Sequence, residues 1–166
     1  RGWGVEDKKI VELNWNEVFK IDEVEFTSLP ARHFSGRGPL NRNSTLWSSW
    51  AIKSSAIKIY FSGDSGYSPE FRTIGEQFGP FDLAFVECGQ YNEAWSEIHM
   101  FPDQTVQTAI DLRASAVLPI HNSKYELALH AWDAPLEGAR NAGIEKNMQV
   151  VTPMIGQTFL YQNKYR

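Results

Sequence analysis

The stretch KIYFSGDSGYSPEFRTIGEQFGPFDLAFVEC at residues 58–88 decides the fold, because it reads in succession as strand, turn, helix and strand. Its apolar opening ends in a turn of small residues that carries one acid, Asp64, between two glycines. Residues 68–79 start with Ser-Pro-Glu and end in glycine, which are the start and stop signals of a helix. Residues 81–88 are nearly all apolar, as in a strand covered on both faces of its sheet.

The residues before this stretch are predicted to form hairpins. Apolar and polar residues alternate there, as they do in half-buried strands. The predicted strands cover residues 9–21, 23–32, 46–54 and 56–63, and a loop rich in Gly, Pro, Asn and Ser covers residues 34–45.

Strands and helices alternate in the second half of the chain. The predicted helices cover residues 102–113 and 132–143, and the predicted strands cover residues 114–120 and 148–161. In the first helix, Val106, Ala109 and Ile110 recur at helical spacing, and the second helix is expected to end at Gly143. No linker interrupts this order. The fold class expected is therefore α/β (α+β), one mixed sheet with helices on its outer face.

Composition excludes several classes of function. The chain has 166 residues and a net charge of −4, so it shows no electrostatic footprint for nucleic acid. Its apolar runs are too short to form a transmembrane segment. The single cysteine, Cys88, reads as a small buried residue and fits a reducing, cytoplasmic compartment. The sequence starts without Met, and we expect it to be a piece of a longer protein.

Three polar residues follow predicted strands, where ligand sites collect in layered sheets: His33, Asp64 and His121. Two imidazoles and a carboxylate placed in this way make a plausible metal set. His99 lies in the loop between a strand and a helix. Each residue also has a plainer interpretation: a lone histidine is more often a hydrogen-bonded structural residue, and Asp64 could form an Asx turn. His99 could belong to a helix-start staple, and His130 to a helix cap.

The order of the motifs ARHFSGR (31–37), GDSGY (63–67), IHMFPDQT (98–105) and PIH (119–121) resembles the C-terminal half of a metallo-β-lactamase-fold hydrolase. The resemblance runs from about residue 9 to about residue 160. It is strongest to the branch that contains N-acyl-phosphatidylethanolamine phospholipase D and its bacterial relatives. It implies one half-domain of an αββα sandwich over residues 1–166, without the N-terminal half that carries the H-x-H-x-D-H motif.

The resemblance also implies roles for individual residues. His33 and His121 resemble metal-ligating histidines, and Asp64 resembles the carboxylate that bridges two metal ions and is needed for catalysis. His99 resembles a catalytic position beside the metals that handles substrate. His130, in LHAWDAP (129–135), matches a substrate-binding stretch near the pocket.

The implied function is that of a metal-dependent hydrolase, a phospholipase D-like phosphodiesterase that uses a metal-activated water. The resemblance implies two divalent ions as cofactors, with Zn²⁺ as the expected metal. This chain alone is expected to supply only part of their site. The implied substrate is a small molecule or lipid such as an N-acyl-phosphatidylethanolamine. The alternatives are a lactonase or another hydrolase of this fold, or a non-catalytic half-domain used for packing or partner binding. An exposed apolar sheet face is expected to favour a homodimer.

Overall fold

The computed structural model describes residues 3–36 and 38–161, so Arg37, inside the predicted loop at 34–45, lies outside the described residues. The strands are β1 (Val18–Ile21), β2 (Val24–Pro30), β3 (Ser48–Lys53), β4 (Lys58–Phe61), β5 (Leu83–Glu87), β6 (Ala116–Ile120) and β7 (Gln149–Val150). The helices are α1 (Glu70–Phe78), α2 (Pro102–Asp111) and α3 (Ala134–Glu145). The predicted α/β class with one mixed sheet is confirmed.

The order of the strands in the sheet equals their order in the chain, β1 to β7. The pairs from β1 to β4 are antiparallel, and the pairs from β4 to β7 are parallel. Each parallel connection contains one α-helix, as parallel strands require a crossover. The hairpin half and the crossover half therefore meet at β4, the strand that precedes Asp64.

One face of the sheet lies under helices and forms the main core. Tyr60, Val86 and Val117 on this face are 0% exposed, and Phe71 of α1 packs edge-on against Tyr60 with ring centroids 6.3 Å apart. Met100, just before α2, is also fully buried in this cluster. This core holds the parallel strands and the starts of their helices in fixed positions.

The opposite face, which we call the open face, is also apolar but is less covered. The strand register aligns Trp50, Phe61, Phe85 and Leu118 across β3 to β6 on this face. Phe61 is 38% exposed, and the other three side chains are half-buried. The expectation that β5 is covered on both faces is thus met fully only on the helix side.

The predicted strands are all shorter in the structure, and the two largest differences have local causes. The strand predicted at 9–21 begins only at Val18, because the Glu17 carboxylate accepts the backbone N–H of Asn14 at 2.7 Å and closes a turn. The strand predicted at 148–161 is limited to Gln149–Val150, and Pro153 soon follows without an N–H to donate.

Two predictions about the helices were also wrong in detail. Helix α3 continues past Gly143 to Glu145, because this glycine is a packing residue rather than a helix stop. A Cβ there would lie 2.3 Å from the Cγ2 of Val150, so the missing side chain lets α3 pack closely on β7. In α2, apolar residues at helical spacing imply one buried face; Val106 and Ala109 are fully buried, whereas Ile110 is 36% exposed.

Candidate metal centre

The candidate site lies at one edge of the sheet, where four strands end. Strands β2 and β4 both run antiparallel to β3, and β4, β5 and β6 are parallel, so their carboxyl ends meet at this edge. His33 follows β2, Asp64 follows β4 and His121 follows β6 directly. All three residues therefore lie at one edge of the sheet, as their positions after predicted strands suggest.

Two glycines allow the loops of this edge to approach each other. A Cβ on Gly66 would lie 2.2 Å from the carbonyl oxygen of Glu97, so the glycine admits the loop that carries His99. A Cβ on Gly89 would lie 2.1 Å from the carbonyl oxygen of His121. The close neighbour of Gly66 is therefore protein backbone, from Glu97 and Ile98.

The loop after β2 is fastened to the turn after β4. The backbone N–H of Gly66 donates to the carbonyl of Arg32 at 2.8 Å, and the backbone N–H of Arg32 donates to the Ser65 hydroxyl at 2.9 Å. The Arg32 guanidinium also pairs with the Glu97 carboxylate. These contacts hold His33 beside the Asp64 turn and beside the loop that carries His99.

Three imidazole rings form a continuous cluster at this edge. The ring of His99 lies between the other two, with centroids 5.6 Å from His33 and 5.3 Å from His121. The His99 and His121 rings are stacked, with 18° between their planes. The Nδ1 of His121 is 3.6 Å from the Oδ1 of Asp64, which is longer than a hydrogen bond.

The chemistry of this donor set suits a divalent metal ion. His121 and Asp64 are 37% and 48% exposed, so both side chains are accessible to an ion from solution. The Nδ1–H of His33 can donate to the carbonyl of Phe34 at 3.0 Å, which leaves Nε2 free as a ligand atom. Closed metal sites normally need four protein ligands. The three predicted ligands therefore fit part of a site.

A second carboxylate, Glu87, also reaches this edge. It is the last residue of β5 and is 0% exposed, and its Oε1 lies 3.1 Å from the Nδ1 of His99. One ligand atom each from Glu87, His99 and His121 lie within 4.8 Å of one another, so this trio is an alternative metal-binding group. The sequence analysis missed Glu87. The signal that could have found it is the one used for Asp64, an acid at the end of an apolar strand.

His130 lies in a different set of contacts. Its ring stacks on Tyr91 with centroids 4.1 Å apart, and Tyr91 in turn contacts Phe101 with centroids 5.0 Å apart. Its Nδ1 lies 2.9 Å from the carbonyl oxygen of Ala131. Within residues 3–36 and 38–161, the ring contacts that join His33, His99 and His121 do not include His130. Its substrate-binding role stays a prediction.

Cys88, next to Glu87, is buried as the sequence analysis expected. Burial raises the pKa of its thiol to about 12, so the thiol is protonated at neutral pH and is a poor nucleophile.

A sequence profile described as a beta-lactamase superfamily domain matches residues 3–122, which is more than half of the chain. The chain belongs to this superfamily. The resemblance to metallo-β-lactamase-fold proteins is thereby confirmed, and solved structures agree with it. Igni18, a metallo hydrolase from Ignicoccus hospitalis, superimposes with a TM-score of 0.70 at 20% identity, over 92% of this chain and 61% of Igni18.

Two curated proteins are similar to this chain in sequence. An uncharacterized protein of Mycobacterium tuberculosis is 42% identical over 160 residues, which are 95% of this chain and 43% of that protein. N-acyl-phosphatidylethanolamine-hydrolyzing phospholipase D 1 of Caenorhabditis elegans is 36% identical over 125 residues, or 71% of this chain and 35% of that protein. The chain thus spans less than half the length of both relatives.

Proposed function

We propose that this chain forms part of a metal-dependent hydrolase whose reacting groups lie at the carboxyl edge of the sheet. The observation that carries the proposal is the cluster of His33, His99 and His121, with Asp64 3.6 Å from His121. His33, Asp64 and His121 would hold divalent ions, and His99 would act on the substrate beside them. Such ions supply Lewis-acid chemistry, since they acidify a water and neutralise charge that develops on a phosphoryl or carbonyl oxygen.

The residues of this chain have distinct tasks in the proposed reaction. The Asp64 carboxylate adds an oxygen ligand beside the two imidazoles, and its negative charge favours the binding of cations. The ring of His99 lies between the two histidine ligands, so it can orient a substrate oxygen or give a proton to the leaving group. The half-buried position of His99 limits its contact with bulk water, because its side chain is only 14% exposed.

A phosphodiester of the N-acyl-phosphatidylethanolamine type is the substrate class that we propose. It is supported by the 36% identity to the C. elegans enzyme and by the motifs shared with that branch. Zn²⁺ is the metal that we propose, because imidazole and carboxylate oxygen are common zinc ligands.

We also propose that a further segment of the full-length protein completes the site. The chain supplies three of about seven ligands that a dinuclear site of this kind would use. The open face around Phe61 and Phe85 is the apolar surface on which such a segment would pack.

A cytoplasmic location stays a prediction, supported by the single buried cysteine. Within the described residues, no helix is long and apolar enough to cross a membrane.

The test uses the longer protein that contains this sequence, assayed against a phosphodiester panel and a lactone panel. Asp64→Asn should lose metal and at least about 10³-fold in activity, because Lewis-acid stabilisation is worth several kcal/mol. His99→Ala should keep its metal content while kcat falls about 10²–10⁴-fold, the typical contribution of a general acid or base. Asp103→Asn, an exposed acid on α2, is the matched control and should change neither quantity.

The outcomes separate the proposed roles. If His99→Ala loses metal in step with activity, His99 is a ligand, as in the trio with Glu87. If it loses neither metal nor activity, His99 is a structural residue at the start of α2. Hydrolysis of lactones alone would replace the proposed substrate class, and a metal-free, inactive longer protein would overturn the hydrolase proposal.

A further inference from the structure

Glu87 is a fully buried carboxylate in an otherwise apolar strand. Carboxylates are almost never fully buried unless they have partners, because removal from water penalises the charged form. Burial indeed raises the pKa of Glu87, and hydrogen bonds from His99 and from the backbone of Met100 oppose that shift. Burying this carboxylate therefore costs free energy, which its hydrogen bonds must offset.

Three donors surround the two oxygens of this carboxylate. The backbone N–H of Met100 donates to Oε2 at 2.7 Å, and the backbone N–H of Gly89 donates to Oε1 at 3.2 Å. The third partner is the Nδ1 of His99, 3.1 Å from Oε1. An ionised Glu87 only accepts hydrogen bonds, and the Nδ1 of His99 is then the atom that carries the proton between the two side chains.

Anchoring of the loop alone does not explain this arrangement. The hydroxyl of Thr105 already donates to the backbone carbonyl of Glu87 at 2.7 Å, which ties β5 to α2 without the carboxylate. A neutral amide could accept the N–H of Met100 equally well. Only a carboxylate can accept the backbone N–H groups of Met100 and Gly89 and also accept a hydrogen bond from the imidazole of His99.

We propose that Glu87 is a positioning residue that fixes the orientation and tautomer of His99. With the proton held on Nδ1, the Nε2 of His99 is the ring nitrogen left to take or give a proton. This inference deepens the proposed function, since it states which atom of His99 acts there. A carboxylate that accepts a hydrogen bond from the Nδ1 of an imidazole is a general way to fix the tautomer and orientation of a histidine.

Glu87→Gln provides a sharp test because it changes the donor pattern without changing the shape. The shortest contact, to the N–H of Met100, favours the amide oxygen at the Oε2 position. The amide NH₂ then faces the Nδ1 of His99 and donates to it, so the ring proton must move to Nε2. The matched control is Asp111→Asn, a carboxylate that is 6% exposed at the other end of α2 and accepts from the Tyr67 hydroxyl at 2.6 Å.

One readout rests on the proposed function. In the active longer protein, Glu87→Gln should lower kcat about 10–100-fold with KM and metal content unchanged, as is typical when a group supporting an active histidine is lost. Asp111→Asn should leave kcat unchanged. If the wild-type protein is an active hydrolase and Glu87→Gln leaves kcat unchanged, Glu87 does not contribute to catalysis. The proposed hydrolase function would still stand.

The second readout is independent of activity and decides the proposal. Nitrogen-15 NMR of the present chain, with only four histidines to assign, reports which ring nitrogen is protonated. The spectra are recorded at alkaline pH so that the neutral ring, in which one nitrogen carries a proton and the other does not, is observed. The wild type and Asp111→Asn should carry the His99 proton on Nδ1, and Glu87→Gln should carry it on Nε2. A wild-type proton on Nε2, or an unchanged tautomer in a folded Glu87→Gln, overturns the proposal. The wild-type spectrum decides it even if the variant does not fold.

Discussion

The two faces of the sheet have similar side chains but very different surroundings. On the helix side, Tyr60 and Val86 are completely buried beneath α1 and α2. On the open face, their strand neighbours Phe61 and Phe85 remain partly exposed, although the side chains are as large and as apolar. Consecutive residues of one strand point to opposite faces, so the same short segments build both surfaces.

This difference separates what stabilises the chain from what the chain offers to other surfaces. The helix side is a completed core in which each apolar side chain has partners of this chain. The open face gains little stability from its aromatic residues until something covers them. Substitutions of similar chemistry on the two faces should therefore change different measurable properties.

The largest effect on stability is expected on the helix side. Phe71→Ala removes a ring that is 1% exposed and packs against Tyr60, so the free energy of unfolding should fall by about 3–5 kcal/mol. Urea denaturation of the chain measures this change. Ile144→Ala, at a side chain that is 80% exposed, is the control and should have little effect. A loss below about 1 kcal/mol in Phe71→Ala would show that the helix-side core is loosely packed.

The open face should control association rather than folding. We expect the isolated chain to dimerise through this face, and Phe61→Thr should weaken the dimer about 10–100-fold, because burying a phenylalanine contributes about 1.5–3 kcal/mol. Light scattering and sedimentation over a range of concentrations measure the dissociation constant. A wild-type chain that stays monomeric at high concentration would contradict the expected association.

A smaller effect is expected at the link between Tyr67 and α2. The Tyr67 hydroxyl donates to Asp111 at 2.6 Å, and this bond raises the pKa of Tyr67 to about 12. Tyr67→Phe should lower the free energy of unfolding by about 1.5–2 kcal/mol, as for a hydrogen bond to a charged group.

The pH dependence gives the same link a second test. The unfolded tyrosine loses its proton near pH 10, whereas the folded Tyr67 keeps it until about pH 12. The stabilisation from this group is therefore complete below pH 10 and is lost as pH rises towards 12. Tyr67→Phe should lack this part of the alkaline loss. Parallel pH profiles for the wild type and the variant would contradict the assignment.

The smallest effect is expected at the edge where the two faces meet. His121 is 37% exposed and has a positive φ of 64°, so His121→Asn keeps a residue that tolerates this conformation. The free energy of unfolding should change by no more than about 0.5 kcal/mol. A loss above about 1.5 kcal/mol would show that the edge histidine belongs to the structural core.

The sequence predicted the parts of the fold that depend on local signals. Asp64 and His121 were placed at strand ends because apolar runs stop at polar residues there, and the structure brings them to one edge. Glu87 was missed because it was read as the end of an apolar strand, and only the fold reveals the backbone donors and imidazole around it.

Other features depended on contacts that no local pattern contains. Gly143 looked like a helix stop, yet its lack of a side chain serves the packing of α3 against Val150. The apolar run in β5 predicted burial on both faces, but a sequence pattern does not say what covers each face. The roles of His33, Asp64, His99, His121 and His130 stay predictions.

The strand order of the sheet also has a consequence for how the chain folds during synthesis. Within the part of the chain that the structure describes, each strand from β2 to β7 pairs with the strand made just before it, so none of them has to insert between two that are already paired. The sheet can therefore grow outwards from β1, with each helix closing over the strands already present. Contacts between sequence neighbours form faster than distant ones, because short loops lose less entropy on closing. The edge that gathers His33, Asp64 and His121 is then complete only after β6 has joined, so the proposed ligand set is assembled late.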